Sequence, residues 1–125
     1  GSDGRRYPWG YALPTCDLTI LPDETDTGCG VGGTWPVGSR PDGVSPHGLY
    51  DASGNVSEWV ADWYAQTYYS TAENVDPPGP AGGVYRVRRG GAYDTVAEDH
   101  RTSFRGQSSP VYAAPWLGVR CCLDL

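Results

Sequence analysis

The sequence predicts a small, loop-rich α+β domain with little regular secondary structure, its loops held together by aromatic packing. Two opposed features of composition lead there. The chain has 18 Gly and 11 Pro in 125 residues, a level that by itself points to disorder. Its 5 Trp and 9 Tyr point the other way, since disordered chains are poor in aromatic side chains. A third feature supplies a strand: Tyr85-Arg-Val-Arg-Arg alternates and runs into Gly90-Gly91. A chain of this length fits one domain and can bury roughly two thirds of its unfolded surface.

In order, residues 4–10 (Gly-Arg-Arg-Tyr-Pro-Trp-Gly) read as an extended segment, with Pro8 biasing Tyr7 away from helix. Residues 11–33 carry Cys16 and Cys29 on either side of the polar run Pro22-Asp-Glu-Thr-Asp-Thr-Gly. Residues 34–41 are a further extended run, punctuated by Pro36 and Pro41, and His47 reads as a turn residue. Asp51-Ala-Ser-Gly is a tight turn, because turns favour Asp and Gly. From Asn55 onward a short strand or helical turn packed by Trp59 and Trp63 is expected. Residues 66–83, with Pro77, Pro78 and Pro80, read as a surface loop. The closing segment Trp116-Leu-Gly-Val-Arg-Cys-Cys-Leu reads as a strand, so Cys121 and Cys122 should point to opposite faces, one buried and one outward. There is no internal repeat.

The formal net charge of −6 argues against non-specific binding to nucleic acid or anionic lipid. No apolar run approaches the roughly 18 residues of a membrane span, so no membrane insertion is expected, and no signal peptide is visible. All nine basic residues are Arg, a bias that suggests no function by itself.

The stretch 48–64 gathers Asp51, Asn55, Glu58 and Asp62 among aromatic and aliphatic residues. Its turn can hold a hard cation, with carboxylates from Asp51 and Glu58 and backbone carbonyls from Gly54 and Val56. The alternative is a hydrogen-bonded turn with solvated acids, since the spacing is not that of an EF-hand loop. Asn55-Val-Ser matches the glycosylation triplet.

Four ordered blocks carry a resemblance. Arg6-Tyr-Pro-Trp-Gly, Gly48-Leu-Tyr-Asp-x-x-Gly-Asn-Val-x-Glu-Trp-Val-x-Asp-Trp-Tyr, Arg86-Val-Arg-Arg-Gly-Gly and Leu117-Gly-Val-Arg-Cys together resemble the formylglycine-generating enzyme (sulfatase-modifying factor) family over almost the whole chain. The resemblance implies a C-type-lectin-like fold, with residues 3–125 as one domain equivalent to the family's C-terminal half. Gly1-Ser2 reads as a remnant of tag removal. A partner chain, or the family's N-terminal half, is then expected to cover apolar surface.

The same resemblance implies a structural calcium ion at Asp51, Gly54, Val56 and Glu58, with Asn55 as a turn residue inside a packed turn, so the glycosylation triplet is discounted. It also implies calcium ligands at Asp17, Leu18, Cys29 and Val31, although a Cys stands where the family has an acidic ligand. A Cys16–Cys29 disulfide would close that loop instead, for roughly 3 kcal/mol in the chain-entropy model. Loop-rich folds of this kind use such staples, and the alternative is two reduced thiols in a cytosolic protein. The disulfide favours an extracellular or bacterial cell-surface location. Trp59 and Trp63 are expected to be buried, and the strand at 85–89 to pair with that at 117–121.

The family's oxidase binds copper through two cysteines shortly after its Arg-Gly-Gly block, as a soft ion requires. Residues 92–105 contain no cysteine, so no copper and no oxidase activity are expected. His100, a lone imidazole in an acidic loop, is expected to face solvent. Between framework residues 89–91, 101, 105, 110 and 117–120 lie chemically assorted residues, which resembles the variable proteins of diversity-generating retroelements. Asp94, Thr95, Val96, Asp99, Ser103, Phe104, Gly106, Ser108, Ser109, Val111, Tyr112, Ala113 and Ala114 all have codons reachable from AAC or AAT by replacing adenines, whereas Glu98, Gln107 and Trp116 do not. The resemblance implies a non-catalytic binding or display domain that meets a protein or other surface ligand through residues 92–116. The expected ligand-binding residues are Tyr93, Asp94, Thr95, Val96, Asp99, His100, Ser103, Phe104, Ser108, Tyr112 and Trp116, with Tyr93, Phe104, Tyr112 and Trp116 as aromatic anchors. The competing readings are an enzyme of the family acting through another site, and a structural domain of a larger bacterial protein such as a kinase.

Overall fold

A computed structural model of the chain describes residues 3–71, 75 and 77–121. Its centre is strand β1, Ser57–Trp63, in a curled four-stranded mixed sheet of order β3-β2-β1-β4. Strand β2, Arg86–Arg89, runs antiparallel to β1, and β3, Gly106–Ser108, runs antiparallel along the far edge of β2. Strand β4, Leu117–Gly118, lies parallel to β1 on its other edge. Segments 85–89 and 117–121 therefore do not pair; β1 lies between them. Alternation fixes which face a side chain takes but leaves the neighbouring strand open. Between the pairs Trp59↔Arg88 and Trp63↔Arg86, β1 advances further than β2, a bulge that adds to the curl.

Helix is scarce. Segment α1, Thr27–Gly30, is capped by Asp26, whose Oδ1 accepts from Thr27 N at 2.7 Å. Gly28 and Cys29 inside it are left-handed, so it is a turn more than a helix. Cys29 forms the expected disulfide with Cys16, with Cα atoms 5.7 Å apart. Helix α2, Tyr68–Thr71, opens the 66–83 loop, and 3-10 turns occupy Pro41–Gly43 and Ala97–His100. Among the described residues no helix is long and apolar enough to cross a membrane. Residues 4–10 are not extended: Tyr7 and Gly10 exchange backbone hydrogen bonds of 2.8 and 3.0 Å, so the chain doubles back over Pro8-Trp9.

The interior is more polar than the aromatic content suggested. Tyr7, Ile20, Leu21, Val87 and Ala92 are buried, but so are Thr19, Ser45, Ser53, Asn55, Ser57 and His100. Ser53 Oγ donates to the carbonyls of His100 at 2.8 Å and Gly90 at 3.0 Å, tying the central turn to the loop after β2. Trp59 and Trp63 are only half-buried. Arginines cover aromatic faces in place of a thicker apolar layer: Arg86 stacks 3.7 Å from the Trp63 ring centroid, and Arg40 4.2 Å from Trp35. Cys121 is an exposed free thiol, and Cys122 lies outside the described residues.

Candidate ligand-binding surface and central turn

The central turn is a sequence of left-handed backbone positions, with φ of 50° at Asp51, 82° at Gly54 and 64° at Asn55. Asp and Asn tolerate that region better than other side-chain-bearing residues. Asn55 is buried and fully used: Oδ1 accepts from Trp35 N at 2.9 Å and Nδ2 donates to Trp35 O at 3.1 Å. Its role as a structural turn residue is thus borne out, and its amide is closed to glycosylation. Asp51, Asn55, Val56 and Glu58 line one cavity of about 370 Å³, while Gly54 is buried and does not line it. Asp51 Oδ2 accepts from Gly38 N at 2.7 Å. Glu58 is engaged by Arg120, whose Nε lies 3.1 and 3.0 Å from the two carboxylate oxygens and whose Nη2 lies 2.8 Å from Oε1. Arg120 Nη2 also donates to the carbonyls of Tyr50 at 2.9 Å and Asp51 at 3.2 Å. One expected ion ligand, the Glu58 carboxylate, thus already meets a positive charge, the Arg120 guanidinium, whose other acceptors are the Tyr50 and Asp51 carbonyls.

On the sheet, β1, β2 and β3 place Ser57, Arg88 and Gly106 together. Gly106 is paired with Arg88 in register, and a Cβ there would come within 2.7 Å of the arginine side chain. Arg88 Nη1 donates to Ser57 Oγ at 3.2 Å. Its guanidinium lies 4.9 Å from the Trp116 ring centroid and 5.9 Å from that of Phe104, and Tyr112 tilts against Trp116 at 5.8 Å. Two expected anchors therefore flank one arginine, and a third packs on one of them. Burial pushes the Asp99 carboxyl above its ordinary range, opposed by attraction to the Arg88 charge.

Known proteins place this architecture. The Sulfatase-modifying factor enzyme 1-like domain matches residues 1–125. The chain belongs to that family. It is 38% identical over 135 residues to the formylglycine-generating enzyme of Streptomyces coelicolor, covering 99% of this chain and 42% of the relative. It is 42% identical to the serine/threonine-protein kinase pkn1 of Chlamydia pneumoniae, covering 96% of this chain and 18% of that one. Among solved structures, Treponema denticola variable protein 1 superposes with a TM-score of 0.75 at 28% identity, over 93% of this chain and 40% of that one. The chain thus spans less than half the length of these relatives.

Within this sulfatase-modifying-factor-like domain the other expected ligand residues separate into groups. Tyr93 is bound into the framework: its N–H donates to Asn55 O at 3.0 Å and its carbonyl accepts from Gly28 N at 2.8 Å. Thr95 Oγ1 accepts from Ala92 N at 2.8 Å and lies 3.4 Å from His100 Nε2. His100 does not face solvent: it is fully buried, with its ring packed over Gly91, and burial pushes it down to about 4. The 3-10 turn rolls it inward, leaving Glu98 exposed and Asp99 half-buried. Asp94, Val96 and Ser103 are exposed, and Ser108 is half-buried in β3. Sequence reasoning missed Arg88 and Arg120, because each sits in a framework motif and its partners come from distant loops.

Proposed function

We propose that this domain is a non-catalytic ligand-binding module whose binding surface is the aromatic group around Arg88 together with the exposed residues of the 92–116 loops. The observation that carries this reading is the position of Arg88 against the rings of Phe104 and Trp116, with Tyr112 packed on Trp116. All three lie on connections that follow short, hydrogen-bonded strands, the arrangement that lets loops vary while a scaffold holds them. Aromatic rings and arginine are the side chains that most often dominate binding energy. The likeness to a variable protein supports the same reading, and exposed Val111, 91% accessible, and Tyr112 offer apolar area to a protein or other surface ligand. The disulfide supports an extracellular or cell-surface setting.

Catalysis by the formylglycine-generating route is the second reading, favoured by the Streptomyces coelicolor relative. The segment after Gly91 supplies Thr95 and Val96 but no cysteine, so the soft copper ligands of that route are missing there. Sequencing the coding locus separates the two. An adjacent reverse transcriptase with an adenine-rich template repeat supports the display reading. Aldehyde formation on a sulfatase-motif peptide by this chain with copper overturns it.

The central turn is proposed as a seat for a structural cation. Its donors suit calcium in kind, being carboxylate and carbonyl oxygen. Of the expected ligands, the Glu58 carboxylate is held by Arg120, so calcium and the guanidinium compete for it. Whichever holds the oxygens ties the turn to β1.

A further inference from the structure

A second cavity, of about 660 Å³, lies between the N-terminal segment, the central turn and the loop after β2. Four of the nine arginines line it: Arg5 and Arg6 from the N-terminal segment, Arg89 at the end of β2, and Arg101 after the 3-10 turn. No carboxylate lines it among the described residues. Asp3 pairs with Arg5 from outside the lining. Arg89 Nη1 is fixed by the carbonyls of Thr102 at 3.1 Å and Phe104 at 3.2 Å, and Arg101 Nε by that of Glu98 at 2.9 Å. The guanidinium of Arg6 lies 5.6 Å from the Tyr7 ring and makes no hydrogen bond or ion pair among the described residues. His100 also lines the cavity; it is fully buried, and its Nδ1 has no hydrogen-bond partner.

In a chain of net charge −6, gathering four guanidiniums around one space costs mutual repulsion that an anion would relieve. Planar guanidinium forks match carboxylate and phosphate oxygens two at a time. The volume falls within the range of small-molecule sites and exceeds what an inorganic ion fills. We infer that this cavity binds a small organic polyanion through carboxylate or phosphate groups. The cavity shares residues 100–103 with the 92–116 loops, but Arg5, Arg6 and Arg89 lie outside that surface, so loss of anion binding in Arg6→Gln tests the cavity separately from the proposed ligand surface.

Citrate and inorganic phosphate serve as probes, titrated calorimetrically into the intact chain at ionic strength matched with sodium chloride. Saturable one-site binding of either, weakened at least about tenfold by Arg6→Gln and Arg101→Gln but unchanged by Arg40→Gln, supports the site. The tighter probe tells carboxylate from phosphate. Tryptophan fluorescence checks folding. Arg6→Gln removes no hydrogen bond of the fold, so it remains informative if Arg101→Gln does not fold. Absence of saturation up to about 10 mM of both probes overturns the inference. So does equal binding by wild type and folded Arg6→Gln.

Discussion

At His100 the ring packs over Gly91, shares Thr95 Oγ1 through Nε2, and leaves Nδ1 unpartnered in the interior. Burial disfavours the charged imidazolium, so the folded chain takes up this proton near pH 4 while the unfolded chain does so near 6.5. Between those values protons favour the unfolded state. Stability is then full above about pH 7 and falls by up to about 3 kcal/mol as pH drops toward 4. Urea unfolding at successive pH values measures this, and the window from 6.5 to 5 is the cleanest, because most carboxylates titrate lower. His100→Gln should flatten that slope; an unchanged slope would assign the effect elsewhere. Gly91 tests the same packing from the other side. Its φ is +66° and a Cβ would meet the imidazole at 2.8 to 3.1 Å, so Gly91→Ala should lose about 1–3 kcal/mol. A loss below about 0.5 kcal/mol would mean the loop relaxes freely.

The elements show what local sequence can and cannot reveal. The turn around Asn55 was legible, since Asp, Gly and Asn at left-handed positions are a local requirement of the backbone. The strand at 86–89 was legible from its alternation, but its partner was not: nothing local says that β1 presents one edge to β2 and the other to β4. Trp59 and Trp63 were expected inside from the family resemblance and the pattern of the stretch they lie in. Here Arg86 covers a ring that apolar residues do not. Guanidinium roles escape sequence reading for the same reason, as Arg88 and Arg120 act only through residues far along the chain. Two tests belong at this scale. Replacing both Cys16 and Cys29 by Ser should lower stability by about 3 kcal/mol under oxidising conditions, read from the urea midpoint; no change would mean the loop closes without its staple. Calcium should raise the melting midpoint more in Arg120→Gln than in wild type, because the competing cation is gone. If neither midpoint responds to calcium or chelator, the turn is closed by Arg120 alone and the ion is not part of this domain.

For the whole molecule, a small apolar interior and a buried polar network leave much apolar surface outside. Val37 is 87% accessible, and Leu13 and Tyr11 are exposed near the N-terminal segment. Association with a partner chain or self-association is the expected consequence, measured by sedimentation at several concentrations; a concentration-independent compact monomer would count against it. The division between a fixed sheet and permissive loops is the central claim, and it is measured directly by substitution tolerance. A library randomised at Asp94, Val96, Phe104, Tyr112 and Trp116, sorted for protease resistance, should retain folded members far more often than a library randomised at Asn55, Ser57, Val87, Ala92 and His100. Equal loss of folded members from both libraries would contradict the account, because the first set of positions would then be part of the scaffold as well.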